Sequence, residues 1–238
     1  MTLDIVIPAF NESRQITALF DKLRVIAFPS FIHAVQFICV NDCSTDQTKE
    51  VVEAYQQQYP SFNLLLLSHD QNKGKGAAVR TGIEAGRGDL VLIQDGDLEL
   101  SPSDIPSMLD CMHLLKVEFV NGSRYLPGVM RPLYAYRRYY FNKLFTRIAS
   151  VLVNVRFTDL ACGYKLFTRS IYNKIQLQEN RFGFEAELII KMARQNRTLI
   201  AEVPVNYFPR NVGEGKKLKS TDGIKIFLVI LKYGLFKN

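Results

Sequence analysis

The first hundred residues alternate between two hydrophobic periods, and this alternation constrains the fold more than any other feature. Leu3-Asp4-Ile5-Val6-Ile7 is a short β-branched run that stops at Pro8. Asn11 is then placed to cap a helix with Ile16, Leu19, Phe20 and Leu23 on one face. Residues 35–40 read as a second strand, and Thr45 or Asp46 opens a helix through Val51, Val52 and Tyr55. A third strand over 62–67, a helix around Ala77, Ala78, Gly82 and Ile83, and a fourth strand over 89–94 continue the pattern. Strands and helices joined by short connections predict parallel βαβ units in a doubly wound sheet. Such sheets bind ligands at the carboxyl ends of their strands. That singles out residues 8–12, 41–46 and 95–99.

The second half is less regular. Helices are expected over 103–115, 134–154 and 183–194, a strand over 118–121, and an extended stretch over 198–208 broken by Pro204. A basic, glycine-containing loop over 211–220 leads to a terminal amphipathic helix capped by Thr221 or Asp222. No internal repeat or low-complexity linker divides the chain, so residues 1–238 are read as one unit. No apolar run approaches the ~20 residues a spanning helix needs. The sequence after Met1, Thr2-Leu3-Asp4, lacks the basic and apolar regions of a secretory leader. Cys39, Cys43, Cys111 and Cys162 form no C-x-x-C pair, and Cys39 sits in an apolar run, which suits a reduced, cytoplasmic chain. Thirty basic against 23 acidic residues give a net charge of +7. That balance suits an anionic partner. The basic residues are scattered and no nucleic-acid motif is present, so acidic lipid or a phosphorylated small molecule fits better than nucleic acid.

Four segments carry chemistry. In Gln94-Asp95-Gly96-Asp97-Leu98-Glu99, carboxylates alternate just past the apolar run 90–93. Oxygen ligands so spaced suit Mg²⁺ or Mn²⁺ when substrate phosphates complete the shell; a solvated acidic turn is the plain alternative. In Asn41-Asp42-Cys43-Ser44-Thr45-Asp46, the polar residues could serve a ligand or simply cap a helix. Asp42, Ser44, Asp46 and Glu53 also match positions of a calcium loop, but Gln47 stands where that loop needs glycine, and the calcium reading is rejected. Asn72-Lys73-Gly74-Lys75-Gly76-Ala77-Ala78 could hold phosphate at a helix N-terminus, or be a turn whose glycines allow close packing. The basic set is Arg124, Arg210, Lys216, Lys217 and Lys219. Arginine forks suit diphosphate, whereas lysines add diffuse charge or form a solvated face. His33, His69 and His113 form no ligand-spaced cluster and receive no role, and no G-x-S-x-G elbow exists.

Taken together these segments resemble family 2 glycosyltransferases of the GT-A fold. The resemblance rests on I-V-I-P-A-F-N-E at 5–12, N-D-C-S-T-D at 41–46, N-K-G-K-G-A-A at 72–78, D-G-D-L-E at 95–99, G-S-R at 122–124, and Y-F-P-R at 207–210 followed by G-E-G-K-K at 213–217. D-L-A-C-G-Y-K-L-F at 159–167 narrows it to polyprenyl-phosphate sugar transferases of the dolichol-phosphate mannosyltransferase type. The resemblance implies a GT-A sheet, mostly parallel and flanked by helices, with a nucleotide-sugar-binding half at 1–125 and an acceptor-side half at 126–238. It implies that Pro8, Ala9 and Glu12 line the nucleotide pocket with Lys73, and that Asp42 faces the base. Asp95 would sit near ribose and metal, and Asp97 and Glu99 would hold the metal on the diphosphate. Arg124 and Arg210 would take phosphate charge, helped by Lys216. Asn41 departs from the family's usual aspartate, and Glu99 stands where mannosyltransferases often carry glutamine.

The expected activity is therefore a metal-dependent, inverting transfer of a sugar from a nucleotide diphosphate to a polyprenyl phosphate. The expected location is the cytoplasmic face of an anionic membrane. The segments around Arg137, Arg138, Tyr139, Tyr140 and Phe141, and around Lys225 to Lys232, would touch the lipid. A glycan hydroxyl acceptor and a catalytically silent membrane-associated subunit are the alternatives. Glu187 distinguishes the acceptors: it lies where hydroxyl-using relatives place a general base, or it pairs with a basic residue and orients a loop.

Overall fold

The computed structural model describes residues 1–129, 136–195, 197, 199–209 and 220–236. Seven strands form one sheet: β1 (Thr2–Ala9), β2 (Ala34–Asn41), β3 (Leu64–Ser68), β4 (Leu90–Ile93), β5 (Phe119–Ser123), β6 (Lys165–Thr168) and β7 (Ile200–Pro204). Their spatial order is β3-β2-β1-β4-β6-β5-β7. All neighbouring pairs are parallel except those of β6, which runs against both β4 and β5. Consecutive strands step outward from β1 in one direction to β3 and then in the other to β4, so the strand order reverses beside β1. A crevice opens at such a switch point.

Helices cover both faces. On one face α1 (Ile16–Arg24), α2 (Thr48–Gln58) and α4 (Ile105–Leu115) pack Leu19, Phe20, Tyr55 and Met108 on Leu3, Ile5 and Ile7 of β1. On the other, α3 (Lys75–Ala85), α5 (Tyr136–Val153), the short α6 (Arg169–Tyr172), α7 (Phe184–Gln195) and α8 (Ser220–Leu235) share a core with Val6, Val91 and Phe167. The period-two alternation within β1 thus serves two cores, as a sheet buried on both faces requires.

Several expectations need correction. The first strand does not stop at Pro8 but continues to Ala9. Beyond the Val6–Ile93 pair, β1 has only β2 as a neighbour, and a strand edge tolerates the missing N–H of proline. Asn11 does not cap α1, which begins at Ile16. Asn11 instead adopts a left-handed conformation (φ 55°), and its side-chain oxygen accepts from Thr45 N at 2.8 Å, tying two strand-end loops together. Asp46 does work at a helix start, accepting from Thr48 N at 3.0 Å. Strand β6 was not anticipated; it is four residues long and opens on a lysine, too brief for a periodicity to register. The helix expected over 134–154 begins at Tyr136, residues 134 and 135 lying outside the described set. α8 starts at Ser220, ahead of the expected caps.

Candidate active site

The acidic turn leaves β4 at the crevice. Gln94 N donates to Val6 O at 3.0 Å, and the Gln94 side chain accepts from Tyr164 Oη at 2.6 Å, so the turn starts from a fixed point. A Cβ on Gly96 would lie 3.3 Å from Pro8 O and 3.5 Å from Glu12 Cγ, which places the turn against residues 8 and 12. Leu98 takes a positive φ of 55°, and Glu99 N then donates to Asp97 Oδ1 at 3.1 Å. Residues 206–208 fold back onto this turn. Phe208 N donates to Glu99 O at 2.8 Å, Tyr207 Oη donates to Glu99 Oε2 at 3.0 Å, and Leu100 bridges Tyr207. Asp104 fastens the segment from below, accepting from Asn206 N and Nδ2, each at 2.7 Å. Residues separated by more than a hundred positions are thereby one surface.

Asp95 faces a partner that the sequence did not single out. Lys75 Nζ lies 2.6 Å from Asp95 Oδ1 and 2.7 Å from Glu185 Oε1. Burial opposes the charge on Lys75, but the two carboxylates overcome it and raise its pKa. The other oxygen of Asp95 rests on Gly163, where a Cβ would come within 2.1 Å. The sequence C-G-Y-K therefore needs its glycine for a close approach. Gly163→Ala forces Asp95 to move; we expect a fall in turnover of about 10²-fold, the cost of misplacing a site group by about 1 Å. Unchanged turnover, with unfolding still cooperative, would show that the position of Asp95 is immaterial.

Arg124, at the end of β5, grips the fully buried Asp159 with Nε at 2.7 Å and Nη2 at 2.9 Å. Burial by itself would raise the Asp159 pKa; the guanidinium and its hydrogen bonds override that and hold it at about 2. The guanidinium also lies 5.0 Å from the Tyr207 ring centroid, so Arg124 is set beside the acidic turn. Below it, buried Lys165 donates to Asn121 Oδ1 and Cys162 O, with burial lowering its pKa.

At three further segments the side chains are placed as follows. Asp42 does not present its carboxylate to a ligand. Its oxygens are taken by His69 Nδ1 at 2.7 Å, Lys73 N at 2.9 Å and Gly74 N at 2.7 Å, and its side chain is 4 % exposed. His69, left without a role, is thus the anchor of Asp42 and also meets Thr81 Oγ1 at 2.9 Å. The start of α3 is not an open phosphate cradle either. Gly76 N donates to Asn180 O at 2.9 Å, and a Cβ on Gly74 or Gly76 would strike the backbone of residues 179–180, so the close-packing reading of these glycines holds. Lys73 is exposed and lines a cavity of about 500 Å³ with Asn72, Arg80, Thr81 and Asn180. Glu187 is fully buried. It accepts from Gln178 N and Glu179 N and pairs with Lys191 at 2.8 Å, so it anchors a loop and is not offered as a base; the carboxylate of α7 that faces the site is Glu185. Arg210 and Lys216 lie outside the described residues.

Among the described residues, no group of three or more His, Cys, Asp or Glu side chains could hold a metal ion. The expected triplet of Asp95, Asp97 and Glu99 does not converge, because Asp95 is turned to Lys75. Asp97 and Glu99 on one turn nevertheless fit a Mg²⁺ or Mn²⁺ site of the kind that takes one or two carboxylates and relies on substrate phosphates for the rest.

The mixed sheet with its acidic turn at the switch point, overlaid by Tyr207 and Phe208 and flanked by the Arg124–Asp159 ion pair, is that of the GT-A fold, and family and relatives together make the chain a nucleotide-sugar-dependent glycosyltransferase. The chain belongs to glycosyl transferase family 2, whose sequence model matches residues 4–176. It is 32 % identical to a dolichyl-phosphate beta-glucosyltransferase of Trichomonas vaginalis, over 98 % of this chain and 73 % of that protein. It is 33 % identical to the dolichyl-phosphate beta-glucosyltransferase of Dictyostelium discoideum, over 86 % of this chain and 66 % of that one. A dodecaprenyl-phosphate galacturonate synthase of Rhizobium johnstonii is 28 % identical, over 91 % and 62 % respectively. Glucosyl-3-phosphoglycerate synthase of Mycobacterium tuberculosis superposes with a TM-score of 0.74 at 17 % identity, covering 100 % of this chain and 82 % of that one, a likeness of fold.

Proposed function

We propose that this chain transfers a hexose, glucose first among candidates, from a nucleotide diphosphate to a polyprenyl phosphate at a membrane surface, with inversion at the anomeric carbon. The relatives named above carry glucosyl or galacturonate and dolichyl or dodecaprenyl phosphate in their names. The Mycobacterium protein has been crystallised with Mn²⁺ and UDP-glucose, which makes UDP-glucose the first donor to try. The observation that carries the reading is the joining of Tyr207 and Phe208 to the acidic turn through Glu99, because it sets these two residues of the late motif at the carboxyl ends of the strands.

In this reading Pro8, Ala9 and Glu12 border the nucleotide, and Asp97 and Glu99 would hold Mg²⁺ or Mn²⁺. Such a cation, when bound, would supply positive charge for the leaving diphosphate. Arg124, with Arg210 and Lys216, would supply positive charge to the phosphates. An acceptor phosphate oxygen forms the bond to the sugar's anomeric carbon as the bond to the diphosphate breaks, and the nucleoside diphosphate leaves. A phosphate monoester is already ionised near neutral pH, with a second pKa of ~6, so no base need remove a proton. The burial and pairing of Glu187 agree with that economy. The test offers the enzyme UDP-glucose with either polyprenyl phosphate or a glycan. Transfer to the lipid alone supports the reading, and transfer to the glycan hydroxyl alone overturns it.

The membrane part rests on α5 and α8. Tyr136, Arg137, Arg138, Tyr139, Tyr140 and Phe141 are all exposed at the start of α5. α8 exposes Ile224, Leu228 and Leu235 along one side while Val229, Ile230 and Tyr233 face the core, so it is apolar on both sides. The two helices meet through Phe145 and Phe227, with ring centroids 5.9 Å apart. No helix among the described residues is long and apolar enough to cross a membrane. An exposed aromatic and basic face suits lipid headgroups, and we place it at the cytoplasmic leaflet. In flotation at low salt, anionic vesicles should carry the protein, and replacing Tyr140, Phe141 and Leu228 by Ser should reduce binding by about tenfold or more. Absence of binding by the unaltered protein would remove the membrane from the account.

A further inference from the structure

The helix that offers its start to lipid also reaches the arginine of the site. Tyr139, Tyr140 and Phe141 are exposed, and the next residue, Asn142, is half-buried. Asn142 Nδ2 donates to Asp159 Oδ1 at 2.8 Å, the same oxygen that accepts from Arg124 Nη2 at 2.9 Å. A carboxylate only accepts, so the amide nitrogen must be the atom that faces it. The amide oxygen lies toward Thr146, whose Oγ1 is 3.5 Å away. Asn142, Thr146 and Ser150 recur at the four-residue spacing of one helix face. Thr146 Oγ1 accepts from Leu160 N at 3.0 Å, Ser150 Oγ accepts from Phe157 N at 3.1 Å, and Lys143 Nζ donates to Thr158 O at 3.1 Å. Along this face α5 grips residues 157–160. The same segment is held from the sheet side, where Thr158 N donates to Glu202 Oε2 and Asn121 Nδ2 donates to Asp159 O, each at 2.9 Å. Its backbone therefore has supports besides α5, whereas the aim of the Asp159 carboxylate is shared between Arg124 and Asn142.

We propose that Asn142 is a positioning residue: through Asp159 it fixes the guanidinium of Arg124 for the acceptor phosphate, and so ties that group to the lipid-facing helix. This rests on the acceptor and membrane readings above. A second contact runs the same way. Tyr139 meets Tyr125 edge-on with ring centroids 5.2 Å apart, and the Arg124 guanidinium lies 5.6 Å from the Tyr125 centroid. Arg124 thus sits between the exposed end of α5 and Tyr207, which bonds to the acidic turn. An arginine fork binds phosphate by direction as well as by charge, so its aim matters. The phosphate of a membrane lipid has its height set by the surface. An arginine tied to a helix lying on that surface meets the phosphate at a fixed height, which spares the reaction a search over geometries.

The test compares the unaltered enzyme with Asn142→Leu, using UDP-glucose and two acceptors: polyprenyl phosphate in anionic vesicles and a short, water-soluble isoprenyl phosphate. Vesicle flotation and inhibition by UDP are measured alongside. In Asn142→Leu, kcat/KM should fall by about tenfold or more with both acceptors, while flotation and inhibition by UDP hold. Asn142→Asp, which keeps the size but sets a second carboxylate against Asp159, should lose at least as much, so the assignment does not hang on one variant. Asn142→Gln, which keeps the amide donor, should restore part of the loss. Unaltered kcat/KM in both Asn142→Leu and Asn142→Asp would overturn the assignment. So would UDP inhibition weakening in step with turnover, the mark of a general disturbance of the site. A loss confined to the vesicle acceptor and matched by weaker flotation would also overturn it, since Asn142 would then act on membrane binding alone. If the unaltered enzyme transfers sugar to neither acceptor, the acceptor reading fails first, and the inference falls with it.

Discussion

Asp97→Ala should lower turnover by about 10³-fold while leaving the fold in place. Breaking a sugar–diphosphate bond builds negative charge on the leaving group. Electrostatic stabilisation of such charge is usually the largest catalytic term, and a bound metal supplies several kcal/mol of it. The turn around Asp97 is held largely by other groups: Gln94 on Tyr164, the Glu99 backbone and side chain on residues 207–208, and Gly96 on Pro8. Losing the Asp97 side chain costs the bond from Glu99 N, on the order of 1 kcal/mol, together with the other contacts of that carboxylate. Urea unfolding should therefore shift little while activity collapses. The same collapse should follow a chelator added to the unaltered enzyme and reverse with Mg²⁺ or Mn²⁺. Full turnover in excess chelator would refute the metal assignment.

Asp159→Asn should be the most costly single change to stability. Asp159 is fully buried and Arg124 only slightly exposed, so removing one partner strands a charge away from water. Breaking a buried pair in this way costs about 3–5 kcal/mol. The pair also contributes to the acid sensitivity of the fold. Asp159 titrates at about 2 in the folded chain, below the ordinary carboxylate value near 3.9 in an unfolded one. Its contribution is complete above the unfolded value and is lost as pH falls from there toward about 2. Equilibrium unfolding across that window should show the unaltered protein losing stability on acidification, with Asp159→Asn showing a shallower slope. Equal slopes would place the acid sensitivity elsewhere. Because Arg124 stacks near Tyr207, the variant should also lose activity before it unfolds.

The helices and strands of the first half were legible because each buries one regular face. Leu19, Phe20 and Leu23 repeat at helical spacing, and Leu3, Ile5 and Ile7 at strand spacing, so local pattern and tertiary packing agree. The errors came where a loop is set by contacts distant in sequence. Asn11 looked like a cap, yet its partner is Thr45. Asp42 looked ligand-facing, yet its partners are His69 and the backbone of residues 73–74. The acidic turn was legible from its alternating carboxylates. The turning of Asp95 away from Asp97 was not, since it depends on Lys75 and on the absence of a side chain at Gly163. Of the two lysines in the glycine-rich run, Lys73 was taken as the donor contact, whereas Lys75 is the one that reaches Asp95. Position within α3 decides this: Lys75 is its first residue and faces α7, while Lys73 precedes the helix and is exposed. Glu185 and Glu187 could not be told apart by spacing, because only the packing of α7 turns one toward the site and buries the other.

The most direct measurement is the structure of the product. The enzyme is incubated with UDP-glucose, polyprenyl phosphate and Mg²⁺ or Mn²⁺, and the lipid fraction is analysed by mass spectrometry and NMR. The account predicts one hexose joined through its anomeric carbon to the lipid phosphate, in the configuration opposite to that of the donor. A retained configuration, or sugar released only to water or to a hydroxyl, would contradict direct displacement by the acceptor phosphate.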